Sequence, residues 1–271
     1  MQPLIRWAGS KSQLISRLRS YWPGGRTRYI EPFAGSARLF FELKPRNAIL
    51  GDLNWELILA YRVLKADPES VFARVRRYRA SASAYYSARR LDPRLLSEVE
   101  IAARFFYLNR YCFNGLYRTN SRGGFNVPYS YPKRSRPFQR QSLVAASSLL
   151  RNAQLRNSDF EATALLARPG DFVYFDPPYA VSTRRLFSEY VPGSFSTRDL
   201  VRLRRVLRAL DARGSQFLVT YADSLEGRGL LKGWPARRIR VRRNISGFAH
   251  SRGFSFELVA TNIRVRDKSN G

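Results

Sequence analysis

This chain of 271 residues has one cysteine, Cys112, and one histidine, His250. An internal disulfide is therefore excluded, a Cys/His zinc site has no ligand set, and a Ser-His-Asp triad would depend on a single imidazole. Acidic residues are scarce, 20 against 48 basic ones, and lysine supplies only six of those (Lys11, Lys44, Lys65, Lys133, Lys232, Lys268), so arginine supplies 48 − 6 = 42. No apolar run is long enough to span a membrane, no lipidation or amphipathic membrane-surface signature occurs, and the segment Met1 to Trp7 lacks a signal-peptide apolar region. The expectation is a cytoplasmic protein with no membrane and no metal partner, and with Cys112 a reduced core residue. Its chemistry has to come from carboxylates, backbone and aromatic rings.

What is abundant is positive charge. The formal net charge is +28 and the sequence pI about 11.2, the electrostatic footprint of a polyanion partner. Arginine's planar fork suits phosphates and guanine edges better than lysine does. The most informative short stretch is the apolar run Phe172-Val173-Tyr174-Phe175 emptying into Asp176-Pro177-Pro178-Tyr179. The run reads as a parallel strand buried on both faces, so Asp176 sits past its carboxyl end, where open α/β sheets bind ligands. Two prolines stiffen the chain and remove two backbone donors, so the carbonyls of Asp176 and Pro177 can act as rigidly held acceptors. With the face of Tyr179, the set matches a planar, amino-bearing ring. A Pro-Pro turn initiated by an Asp is the plainer alternative.

Two further units fall into the same pattern. Tyr29-Ile30-Glu31 turns through Pro32-Phe33-Ala34-Gly35 toward a helix expected to be capped by Ser36, and Ala48-Ile49-Leu50-Gly51-Asp52 ends on an acid nineteen residues after Phe33. That offset is close to the one at which a nucleoside-binding sheet presents an acid to ribose hydroxyls, although Asp52-Leu53-Asn54 also reads as a helix cap. From Arg74 to Arg140 there are fifteen basic and three acidic residues with aromatics interleaved. Helices are expected near 68–80 and 96–112, in a nucleic-acid-binding insertion whose aromatics mostly form its own core. The sheet resumes with Gln216–Tyr221, Ile239–Arg242 and Phe256–Asn262, after a helix from about Thr197 to Ala212. Seven basic residues and no acid lie between Arg228 and Arg243, either tracking phosphate or guarding an edge strand. The expected organisation is α/β: a Rossmann-like catalytic domain over 1–60 plus 145–271, and a mainly helical nucleic-acid-recognition insertion over 61–144.

The chain resembles the Dam-type (D12 class, alpha-group) adenine-specific DNA methyltransferases. The matches are Arg6-Trp7-Ala8-Gly9-Ser10-Lys11, Glu31-Pro32-Phe33-Ala34-Gly35, Gly51-Asp52-Leu53-Asn54, Tyr107 through Arg118, Arg122 through Pro128, Asp176-Pro177-Pro178-Tyr179 and Arg242 through Ser246. The resemblance implies S-adenosylmethionine as cofactor, double-stranded DNA as partner and methylation of the adenine 6-amino group. Asp176, Pro177, Pro178 and Tyr179 would be catalytic. Trp7, Lys11, Phe33, Gly35, Asp52, Asp159, Phe160 and Asp176 would border the cofactor. Arg6, Asn114, Leu116, Arg118 and Pro128 would meet or displace bases, with GATC the leading target. Arg6 stands where the bacterial enzyme has lysine, and Ala37 where the family pattern Phe-x-Gly-x-Gly has its second glycine. A left-handed backbone at Ala37 would tax the cofactor turn. A monomer in solution is expected, with room for more than one copy on DNA.

A non-catalytic DNA-binding protein of the same fold would share the charge but not require Asp176. A methyltransferase acting on RNA or on a protein amide would share the tetrapeptide but not require the Asn114–Arg118 segment. The charge itself has a measurable consequence. The Kd for duplex DNA is expected to rise by roughly 10³-fold between about 50 and 200 mM salt, as read by fluorescence anisotropy; a flat salt dependence would remove phosphate contacts as the source of affinity.

Overall fold

The computed structural model describes residues 4–7, 9–120, 123–131, 138–180, 195–242 and 253–263. Met1, Ala8, Arg122, Lys133, Arg243 to Ser246, His250 and Lys268, all named above, lie outside the described residues.

Strand β4 (Phe172–Phe175) is buried along its whole length, as its unbroken apolar run predicts. Its side chains alternate between two cores: Phe172 and Tyr174 join one cluster, Val173 and Phe175 the other. Both faces of the sheet must therefore be covered by helices. β1 (Tyr29–Glu31), β2 (Ala48–Asp52), β3 (Ala153–Asn157), β5 (Gln216–Ala222), β6 (Ala236–Arg242) and β7 (Phe254–Thr261) complete a seven-stranded sheet of order β3-β2-β1-β4-β5-β7-β6. β3, β2, β1, β4 and β5 run parallel, while β7 is antiparallel to both β5 and β6. The order reverses between β1 and β4, which opens a crevice at the carboxyl edge. This is a Rossmann-like methyltransferase sheet. The expected β4 and β2 agree to the residue, and β3, whose exposed Gln154 and Asn157 hide its strand character, was not foreseen.

One face carries α8 (Phe160–Ala164), α9 (Thr197–Ala212) and α10 (Leu225–Leu231). The other carries α1 (Ile15–Arg19), α2 (Arg38–Leu43), α3 (Trp55–Ala66), α4 (Pro68–Val75), α5 (Ala82–Arg90), α6 (Glu98–Tyr111) and α7 (Arg140–Leu150). The helix expected near 68–80 stops at Val75; α5 begins afresh at the cap Ser81, whose side chain accepts from the Ala84 N–H. α6 starts on a reciprocal Ser97/Glu100 capping box. Positions 61 and 144 fall inside α3 and α7, and the insertion helices share one apolar cluster with the sheet. Cys112 is fully buried there, its thiol pushed up to about 11 by burial. No helix among the described residues is long and apolar enough to cross a membrane.

Two side chains join distant segments. Arg104, 1% exposed, pairs with Glu56 at 3.0 Å and donates to the carbonyls of Ala88 and Arg89 at the end of α5. Gln13 pairs with the outer strand β6 as if it were backbone: its amide donates to the Arg242 carbonyl at 2.8 Å and accepts from the Arg242 N–H at 2.9 Å.

The start of α2 corrects the expected cap. The helix begins at Arg38 after Ala37, no side chain caps it, and Ala37 takes the left-handed conformation at φ 48°, ψ 36° while fully buried. Ser36 is one residue too early, because the glycine turn spends its tight geometry before the helix opens. Replacing Ala37 by glycine relieves about 1–2 kcal/mol of left-handed strain and loses about 0.8 kcal/mol of methyl burial. Ala37→Gly is thus expected to leave stability within about 1 kcal/mol of the parent. Ala60→Gly, at an equally buried site inside α3, adds helix propensity to the same methyl loss and should cost about 2 kcal/mol. Thermal melts of the two variants test this; a larger drop for Ala37→Gly than for Ala60→Gly would contradict it.

Candidate active site

Parallel strands put their carboxyl ends on one edge, and the chain places an acid at or just past the end of each of the five, with Glu31 ending β1 and Asp223 directly following β5. Asp52 ends β2, Asp159 follows β3 by two residues, and Asp176 follows β4 directly. Between them the turn after β1 passes through Gly35, at φ 46°. Its N–H donates to Asp52 at 2.9 Å and its carbonyl accepts from the Tyr61 hydroxyl at 2.9 Å. A Cβ on Gly35 would come within 2.7 Å of the Trp7 indole nitrogen, so the turn and the amino-terminal segment fit only with glycine there.

These parts enclose a cavity of about 720 Å³, within the range of small-molecule sites. Trp7, Lys11, Phe33, Gly35, Asp52, Asp159, Phe160, Asp176, Pro177, Pro178 and Tyr179 all lie on its wall, with Leu116 and Tyr117 reaching it from the insertion side. Arg6, Asn114, Arg118 and Pro128 are off this wall, on or against the segment 112–131, which folds back on itself through antiparallel bridges between Cys112 and Tyr129 and between Thr119 and Phe125. Asn114, two residues past the Cys112–Tyr129 bridge, is left-handed at φ 53°. Arg118 is exposed, its Nε donating to the Asn126 side-chain carbonyl at 2.9 Å. Pro128 is exposed and its carbonyl accepts from Phe113. The Arg6 guanidinium donates to the carbonyls of Arg110 and Cys112 at the end of α6, so a base contact by Arg6 requires breaking those bonds.

Asp176 has two neighbours on one oxygen. Lys11 Nζ lies 2.8 Å from Oδ1, and the Thr220 hydroxyl donates to the same atom at 2.9 Å. Among the described residues no hydrogen bond reaches Oδ2. Burial disfavours the Lys11 charge, but Asp176, Tyr179 and Glu257 outweigh that and hold its ammonium above the usual lysine range. It is an anchored cation rather than a proton acceptor. Asp52 accepts from the N–H groups of Gly35 and Asn54, and burial still pushes its carboxyl upward against their pull. Asn54, in turn, caps α3 by accepting from Leu57. Asp52 thus lies on the cavity wall, and the helix cap is Asn54, two residues on.

At the other end, the Phe33 and Phe160 rings stack with centroids 5.2 Å apart, and Phe195 closes on both edgewise or tilted. Arg202 lies behind them. Its guanidinium pairs with Asp159 at 2.7 Å, Glu161 at 3.0 Å and Asp199 at 2.9 Å, and covers the Phe160 ring at 4.8 Å. Arg202, Phe195, Thr220, Glu257 and the buried Glu31 were all missed in the sequence. Only Glu257 left a trace there, as a lone acid inside the apolar run of β7.

A family model described as D12 class N6 adenine-specific DNA methyltransferase matches residues 7–245. The chain belongs to that family. Among its relatives, the type II methyltransferase M1.LlaDCHI of Lactococcus lactis subsp. cremoris is 36% identical, with 97% of this chain and 95% of the relative covered. M.MjaIII of Methanocaldococcus jannaschii is 31% identical over 91% of this chain and 93% of its own. The DNA adenine methylase of Escherichia coli K12 is 29% identical over 94% and 93%. The protein is thus an adenine-specific DNA methyltransferase of the D12 class, with a duplex DNA substrate and a methyl donor of the S-adenosylmethionine type. The residues present fit such a donor, since the cavity combines a glycine turn too tight for a Cβ with the carboxylates of Asp52 and Asp159 and the stacked rings of Phe33 and Phe160.

Arg202 has a testable consequence in this D12 enzyme. Arg202→Met keeps the packing on Phe160 but frees Asp159, and is expected to weaken binding of S-adenosylhomocysteine by about 5- to 20-fold. Because the guanidinium is 35% exposed, the melting temperature should fall by less than about 3 °C. Titration calorimetry with a parallel melt separates the two; unchanged affinity would remove Arg202 from the site.

Proposed function

We propose that this chain transfers a methyl group from S-adenosylmethionine to the 6-amino group of an adenine flipped out of duplex DNA, with GATC the leading target. The observation that carries the proposal is Asp176, presented at the end of β4 on the wall of the same cavity as the Gly35 turn and Asp52. Trp7, Lys11, Phe33 and Gly35 would border the donor, Asp52 would accept from its ribose hydroxyls, and Asp159 with Phe160 would hold its adenine. When bound, the cofactor supplies an electrophilic methyl group on a sulfonium.

An exocyclic adenine amine is a weak nucleophile because its lone pair is delocalised into the ring. Asp176 and the Pro177 carbonyl accept its two hydrogens, which favours a pyramidal nitrogen and stabilises the positive charge that grows there. The amine's lone pair forms the new N–C bond as the C–S bond breaks with its electrons left on sulfur, and one N–H proton then leaves to water. The target base has to leave the stack first. Tyr179, 46% exposed beside Asp176, offers the face on which it would rest. Holding amine and methyl in line supplies much of the remaining rate.

For target choice, Asn114, Leu116, Arg118 and Pro128 share one folded-back segment, and an exposed Arg118 suits a guanine edge at about 1–3 kcal/mol of discrimination. Labelled methyl transfer to plasmid DNA, followed by nucleases sensitive to GATC methylation, tests chemistry and target together. The parent should protect GATC, and Asp176→Ala should lose at least about 10²-fold in rate. Label without GATC protection would move the specificity elsewhere, and full activity in Asp176→Ala would sink the mechanism.

A further inference from the structure

The cation on Asp176 poses an electrostatic problem. The proposed reaction builds positive charge on the amine that Asp176 receives, yet Lys11 already neutralises that carboxylate from 2.8 Å. A fixed ammonium there would oppose the developing charge it adjoins. A second seat lies beside it. Glu257, on β7 and 8% exposed, has its Oε2 3.8 Å from Lys11 Nζ, buried and with no hydrogen-bond partner among the described residues. A buried carboxylate oxygen without a donor is costly unless a cation can reach it. Nζ also donates to the Gly9 carbonyl at 3.1 Å, which gives the ammonium a third contact. A displacement of about 1 Å, the difference between 3.8 and 2.8 Å, would give Glu257 the distance that Asp176 now has. The other oxygen of Glu257 accepts from the Tyr179 hydroxyl at 2.6 Å, and the Tyr179 ring lies 5.4 Å from the ammonium.

We propose that Glu257 is a positioning residue that draws the Lys11 ammonium off Asp176 as the adenine amine arrives, while its second oxygen holds the Tyr179 ring in place. This rests on Asp176 being the amine's acceptor. The carboxylate that meets the substrate then carries its full charge only when the substrate is present, and Lys11 screens it in the free enzyme. Glu257→Gln keeps an acceptor for Tyr179 but offers Lys11 no charge.

The test is single-turnover methyl transfer at saturating S-adenosylmethionine and duplex, for the parent, Glu257→Gln, Lys11→Met and the double variant. Glu257→Gln should slow transfer on the order of 10- to 100-fold, with duplex and cofactor affinities within about threefold of the parent. With Lys11 gone there is nothing for Glu257 to withdraw, so the double variant should be no slower than Lys11→Met alone. A double variant slowed further by the full Glu257→Gln factor, or a Glu257→Gln variant at the parental rate, would overturn the proposal. Tyr179→Phe removes only the hydroxyl and should lose less than Glu257→Gln; an equal loss would assign the effect to the ring and also overturn it. Lys11→Gln replaces Lys11→Met if the latter does not fold. Asp176→Ala, which removes the acceptor oxygens altogether, serves as a control in the parent background. Parental activity there would show that the acceptor assignment has failed, a result distinct from any failure of Glu257.

Discussion

The Arg104 guanidinium ties α6 to α3 and α5. It is buried to 1% exposure, and its nitrogens go to Glu56 on the first turn of α3 and to two carbonyls at the end of α5. Glu56 also accepts from the Tyr117 hydroxyl, and Tyr117 stacks on Trp7 at the cavity wall. A charge withdrawn from water to this degree is tolerated only while every partner is present, because an uncompensated buried ion costs roughly 3–5 kcal/mol. The Asp52 turn, the folded-back segment bearing Asn114 and Arg118, and α5 therefore share one electrostatic anchor. The insertion is built into the face of the sheet and is not tethered to it by a linker.

The remaining chemistry follows from strand polarity. Parallel strands deliver their ends to one edge, so acids far apart in sequence become neighbours without any local motif. The chain has few acids and uses several of them here, each with a different set of partners: N–H groups at Asp52, a guanidinium at Asp159, an ammonium and a hydroxyl at Asp176. Around them the surplus of arginine is largely directed outward. On the outer hairpin, Arg238 and Arg240 lie flat over Phe256 and Phe254, an arrangement that keeps charged surface ordered beside apolar rings.

Much of this was legible because it is local. The apolar runs of β2 and β4 mark their own ends, and the helix Thr197–Ala212 announces itself by a Ser196/Asp199 capping box and a strong apolar stripe. β3 was not legible, since an edge strand with one polar face lacks the apolar run that marks a central one. Ser36 misled because Ser at a helix start is usually a cap, whereas here the turn ends one residue later, on an alanine in a glycine's conformation. Arg202 was invisible for a different reason, and Glu257 showed only as a lone acid in an apolar run. Nothing in the sequence around an arginine or a glutamate says which distant acid or ammonium it will meet, and both act only through tertiary neighbours.

The amide of Gln13 adds a consequence in time. It joins the early segment that carries Trp7 and Lys11 to β6, 229 residues further along, and β7 must already lie between β5 and β6 for that strand to be in place. Lys11 therefore meets its second acid only after these late strands have docked.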